Sequence, residues 1–219
     1  MKRGIILLIM LVAAIAAGNA QFFVEGSVGV SYWERTSQNF FANKTLNISP
    51  LAGYRLNENT ALGLSASLIR NTYSNVTVDS DTGDDFVVER KEHGWDFAVF
   101  DRYKIWGTKK FSILVESSVY IYKGTLEGNR EWTTMQMLNL TQTSIGVKAM
   151  PLIVYDLSDR FSIIASCNFL SLNLNYIAQD SKKTGLKVRF WGFESAVTSS
   201  IYSNLPDIGI IYYFKKSGK

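Results

Sequence analysis

Residues Phe22–Trp33 read FFVEGSVGVSYW. Val24, Val28, Val30 and Tyr32 share one side with Gly26, while Glu25, Ser27, Gly29 and Ser31 share the other. A repeat of two marks a strand, whose successive side chains leave opposite faces. The polar side then decides which way that strand faces. A strand surface that meets water carries many Lys and Glu, whereas this one carries serines, a glycine and a single carboxylate. Small uncharged residues suit the crowded interior of a narrow barrel, so the apolar side is expected to face outward, toward lipid.

The alternation recurs in seven further segments. Ile48, Pro50, Ala52, Tyr54 and Leu56 form the apolar side of the second, and Leu62, Leu64, Ala66 and Leu68 that of the third. Trp95, Phe97, Val99, Tyr103 and Ile105 mark the fourth, and Phe111, Ile113, Val115, Val119 and Ile121 the fifth. Ile145, Val147, Ala149 and Ile153 follow, then Phe161, Ile163, Ala165, Cys167 and Phe169, and last Ile208, Ile210, Tyr212 and Phe214. Short connections near Asn57–Asn59, Gly107–Lys110 and Asp156–Asp159 alternate with long ones near Glu34–Thr45, Asn75–Glu92, Gly124–Leu138 and Ala178–Asn204. Short turns at one end and long loops at the other are the layout of an outer-membrane barrel. The expected fold is all-β: an eight-stranded antiparallel up-and-down transmembrane β-barrel over residues 21–214, with both termini on the short-turn side.

The N-terminus predicts a route to that membrane. Lys2-Arg3 precedes the apolar run Ile5–Ala17, and Gly18-Asn19-Ala20 supplies small residues for cleavage. Residues 1–20 therefore read as a secretory signal peptide, too short in its apolar part for a membrane helix. Residues 215–219, KKSGK, read as a short basic periplasmic tail, and the barrel is expected in the outer membrane with its loops extracellular. Charged residues are 19% of the chain, below the roughly 25% usual for soluble domains. The isolated charges Glu25, Arg102, Lys104, Glu116 and Lys148 fall on polar sides and are candidates to pair across the lumen. Trp33, Tyr54, Trp95, Tyr103, Trp106, Tyr155, Tyr212 and Phe214 fall near expected strand ends, where amphipathic rings favour the headgroup layer.

Three places fit less well. Asp101 falls on the apolar side, which a bulge or an interfacial position would relieve. The phase slips near Phe169–Leu170, as a bulge would cause. Leu186–Ser203 reads either as loop or as an extension of the last hairpin.

Residues for chemistry are few. One cysteine, Cys167, excludes an intramolecular disulfide. The single histidine, His93, has Glu92 beside it, yet no Gly-x-Ser-x-Gly motif accompanies them. The run DSDTGDD, Asp79–Asp85, lacks the spacing and closing Glu of an EF-hand. No catalytic residue, metal site or cofactor is expected, and scattered basic residues give no nucleic-acid motif.

Asn47–Leu64, NISPLAGYRLNENTALGL, resembles the strand–turn–strand signature of small Gram-negative outer-membrane β-barrel proteins, the OmpA/OmpX-like family. Pro151 and the Asp156–Asp159 turn match it again without the Gly-Tyr pair, and Ile208–Phe214 resembles the family's closing strand. The resemblance implies that Gly209, Tyr212 and Phe214 form a signal read by the barrel-assembly machinery, although such signals usually end the chain and here five residues follow. It implies no catalytic residues. A non-enzymatic barrel for envelope structure, surface binding or adhesion is the expected function. The implied partners are outer-membrane lipid and lipopolysaccharide, with the assembly machinery as a transient one, and the barrel is expected as a monomer. A narrow porin-like channel and a soluble lipocalin-like carrier stand as alternatives.

Overall fold

The computed structural model describes residues 21–35, 41–78, 85–128, 140–167, 170–181, 185–195 and 206–214. Residues 1–20, read above as a signal peptide, the KKSGK tail and the acidic run Asp79–Asp84 lie outside the described residues, as do the side chains of Trp33 and Asp85. Among the described residues ten strands form: β1 (Gln21–Arg35), β2 (Phe41–Arg55), β3 (Thr60–Val78), β4 (Asp85–Gly107), β5 (Phe111–Gly128), β6 (Leu140–Asp156), β7 (Phe161–Ser166), β8 (Leu172–Ser181), β9 (Lys187–Ser195) and β10 (Ile208–Tyr213).

Eight of them close a ring. Every pairing is antiparallel, the order running β1-β2-β3-β4-β5-β6-β7-β10 and back to β1. β8 and β9 continue the seventh and eighth staves: β8 takes over from β7 as the partner of β6, and β9 pairs with β8. The expected eight-stranded up-and-down barrel is thus the fold, with two staves interrupted.

The ladder also fixes the tilt. From Ile153 on β6 the paired residues run through Ala165, Ile208, Val28, Ile48, Leu68, Trp95 and Lys123, and the circuit returns to β6 at Thr143. A shift of ten residues around eight strands tilts them by about 40°, so each paired row climbs roughly 3 Å per strand.

Side chains divide as the alternation requires. Leu64, Val99, Val119, Ile145, Trp191 and Ile210 stand on the outer wall, between 53% and 72% exposed. Glu25, Arg102, Glu116, Ser144 and Ser162 are buried inside. The expected slip in the seventh stave is present. Leu152 pairs with Ser166 and Ala149 with Leu172, so three extra residues intervene on that stave. An odd insertion exchanges faces, and the outer residues pass from Phe161 and Ile163 to Leu172 and Leu174.

Loop limits need correction. Residues 34–35, 41–45, 75–78, 85–92 and 124–128 belong to strands, and the Ala178–Asn204 connection contains the end of β8 and all of β9, reached through a turn with Gly185 at φ 70°. The outward Trp191 and Phe193 of β9 stand beside Tyr176 and Leu174 of β8, a stripe of only two residues that Phe190 on the other face obscures in the sequence. The short connections are tight turns, closed by Leu56 N–H to Thr60 O, Thr108 N–H to Phe111 O and Leu157 N–H to Phe161 O. Asn57, Thr108 and Ser158 side chains accept from backbone N–H groups within these turns.

Candidate functional site

The interior has two storeys. At the tight-turn end Phe23, Phe100, Leu152, Val154, Ile164 and Ile211 make a closed apolar cluster. The rings of Phe23 and Phe100 lie over Gly53 and Gly63, where a Cβ would come within 2.7 Å and 2.5 Å of them. Those glycines are therefore set by close approach.

Arg102 lies against this cluster, two residues nearer the tight turn than Phe100 on β4. Its Nη1 and Nη2 donate to Glu25 at 2.6 and 3.1 Å, and its Nε donates to Glu116 at 2.8 Å. Its guanidinium stacks 4.9 Å from the Phe100 ring centre and 5.9 Å from that of Phe23. Arg102 and Glu25 side chains are 4% exposed, which only mutual pairing makes tolerable. Tilt explains why these three meet. Arg102 lies on the paired row of Gln21, three strands round, which lifts it about 9 Å; Glu25 stands four residues up β1, about 10 Å higher than Gln21.

Of the other charges singled out in the sequence, Lys148 lines the chamber above, and Lys104 lies below the triad, its Cε against Gly107 near the tight turn. Neither joins the triad. The chamber, about 760 Å³, is walled by Ser, Asn, Gln and Tyr with Glu92, Asp96, Glu194 and Asp207. Its polar groups form chains whose direction is fixed. Asn173 Nδ2 donates to Glu194 at 3.4 Å, Tyr120 OH donates to Asn173 Oδ1 at 3.0 Å, and Asn175 Nδ2 donates to Tyr120 at 3.3 Å. Glu92 accepts from Tyr122 OH at 2.6 Å and from Asn71 Nδ2 at 2.9 Å, and Asn47 Nδ2 donates to Asp207 at 2.9 Å. The sequence reading did not single out this upper network. Its signal was the run of inward Asn and Ser at alternate positions.

The remaining candidates are dispersed. His93 faces outward, where its Nδ1 accepts from Arg70 Nε at 3.3 Å, while Glu92 faces the lumen. Neighbours in sequence, they stand on opposite sides of the wall and make no catalytic pair. Among the described residues no group of three or more His, Cys, Asp or Glu stands close enough to hold a metal ion. Cys167 is buried at the break in the seventh stave. Asp101 stays on the outer wall: the ladder runs through it from Leu62 to Ser117, and the bulge lies below it, between Lys104 and Trp106.

Gly209, Tyr212 and Phe214 belong to the seam that closes the barrel. A Cβ on Gly209 would come within 2.7 Å of Gly26 O and the Ser27 side chain. Phe214 N–H donates to Phe22 O. The rings of Phe161, Tyr212, Phe214, Phe22 and Tyr54 form a continuous outer belt with neighbouring centres 5.0–5.1 Å apart.

No family model matches the chain, and no curated protein matches it. Solved structures do. A major outer membrane protein from Thermus thermophilus is 14% identical, with a TM-score of 0.44, over 89% of this chain and 99% of that one. Neisserial surface protein A is 16% identical, with a TM-score of 0.41, over 89% and 99%. The attachment invasion locus protein Ail of Yersinia pestis is 12% identical, with a TM-score of 0.35, over 90% and 99%.

Proposed function

We propose that this chain is an integral outer-membrane barrel without catalytic activity. Its tight-turn half is a sealed post, and its long staves and connections present an extracellular surface for binding or envelope structure. The observation that carries this reading is the Glu25–Arg102–Glu116 knot against an apolar cluster, set inside a wall whose outer face is apolar. A soluble carrier would hold Leu64, Val99 and Val119 inside, not on its surface. The outward His93 and inward Glu92 support the non-enzymatic reading.

A narrow channel is the second reading, favoured by the polar chamber. Against it stands the filled storey beneath, which fits the side-chain-filled interior of an eight-stranded barrel. Two measurements test the proposal. The protein is expected to resist carbonate extraction from outer membranes and to migrate differently in gels before and after heating. Reconstituted in planar bilayers, it is expected to pass no steady current; a defined single-channel conductance would favour the channel. A soluble periplasmic pool would count against the membrane assignment itself.

A further inference from the structure

The outer wall of β3, β4 and β5 changes character over one step of the ladder. Leu68, Trp95 and Lys123 form one outward paired row, and Arg70, His93 and Thr125 form the next above it. Below them the wall is apolar, with Leu64, Phe97, Val99 and Val119 all more than half exposed and Trp95 set edge-on to Phe97 at 5.1 Å. Asp101 lies three strands round from the aromatic belt at Phe22, and Trp95 lies six residues further up β4. The climb of the rows and the tilt of the strand place Trp95 about 25 Å above that belt, the full height of the apolar band of such barrels. Arg70, His93 and Lys123 therefore stand at the headgroup level of the opposite membrane face.

Their donors are aimed outward. Arg70 Nε is held by His93 Nδ1 at 3.3 Å, which leaves the guanidinium Nη groups free of that bond and puts the neutral imidazole proton on Nε2. Lys123 is diagonal to His93 across the β4–β5 pair, within reach of a long side chain. On β3, β4 and β5 the nearest outward carboxylates are a row or more higher: Glu89 pairs with Lys91 at 2.9 Å, and Glu127 stands opposite Lys91. Two strands on, Asp180 of β8 shares the row of Thr125 and is paired with Arg189 at 2.7 Å. At the level of Arg70 and Lys123 the outer wall of β3, β4 and β5 carries two cations and no described acid.

Cations directly above an apolar aromatic wall fit one kind of occupant, an amphiphile with an anionic head and acyl chains. We propose that Arg70, His93 and Lys123 seat the phosphorylated headgroup of an outer-leaflet glycolipid whose chains lie along Trp95 and Phe97. The inference rests on the outer-membrane reading above and names a partner for it.

Native mass spectrometry of the barrel in neutral detergent, with added lipid A or phosphatidylethanolamine, tests it. The wild-type barrel is expected to retain lipid A in preference to phosphatidylethanolamine. The Arg70→Gln/Lys123→Gln double variant is expected to lose that retention at least tenfold, while Lys110→Gln, in the tight turn at the opposite end of the barrel, keeps it. Heat-shifted gel migration confirms that each variant is folded. Equal retention by the double variant, equal retention of both lipids, or complete displacement by millimolar inorganic phosphate would each overturn the lipid assignment. Failure of membrane fractionation would instead overturn the outer-membrane reading.

Discussion

Arg102 offers donors in a rigid fork, and the barrel spends them unequally. Glu25 accepts two bonds and Glu116 one, leaving the knot with one net negative charge. Glu116→Gln removes that excess charge and still leaves an acceptor for Nε, so it is expected to change stability by no more than about 1 kcal/mol. Glu25→Gln breaks the two-pronged contact and is expected to cost about 2 kcal/mol. Arg102→Ala strands two buried carboxylates and is expected to cost about 3–5 kcal/mol. Urea unfolding in micelles, followed by tryptophan fluorescence, checks the ranking. An Arg102→Ala barrel as stable as wild type would remove the knot from the energetic account. The sequence shows that these residues occupy polar positions on narrow strands. It does not show which of them meet, because Glu25 and Arg102 lie on different paired rows and only the tilt brings them level. For the same reason Lys104 and Lys148, read alongside them, sit below and above the knot.

Individual strands show where alternation is informative and where it is silent. Within the membrane the two faces differ in polarity, so the outward phase is legible even at Asp101 and across the slip beyond Cys167. Above Trp95 the outer face turns polar while Leu126 and Leu140 are buried inside, so the apolar-out stripe that marks β2 through β5 is lost several residues before the strands end. Gly53 and Gly63 mark another kind of silence: a small residue in a strand does not announce which ring lies over it. Gly63→Val would drive a side chain into Phe100 and is expected to lower the unfolding midpoint by the equivalent of roughly 1–3 kcal/mol; Phe100→Leu in the same chain is expected to restore part of it. Thermal gel-shift curves of the three barrels decide the matter. In β10 the five-ring belt ties Tyr212 and Phe214 to strands on both sides of the seam. Phe214→Ala is expected to slow assembly several-fold, whereas deleting residues 215–219 leaves it unchanged. Pulse-chase conversion to the heat-modifiable form measures both, and normal kinetics for Phe214→Ala would remove its role as an assembly signal.

At the scale of the whole barrel, eight staves and a shift of ten residues set both the tilt and the width, and that width is one that side chains can fill. Opening the knot by Arg102→Ala is expected to leave bilayer conductance at baseline, since Phe23, Val154 and Ile211 still close the storey beneath; a steady current in that variant would show that the charges alone were the seal. The pairing of Glu25 with Arg102 spans 77 residues of chain and joins the first stave to the fourth. This carries a consequence for the order of events during biogenesis. A hairpin of β1 and β2 entering lipid alone would expose Glu25 to hydrocarbon with no counter-charge, and β4 with β5 would carry Arg102 paired only to Glu116. The penalty disappears only when the sheet has curled far enough to bring the first and fourth staves face to face. Insertion hairpin by hairpin is therefore disfavoured, and the sheet must curl around its charges before or while it crosses into lipid.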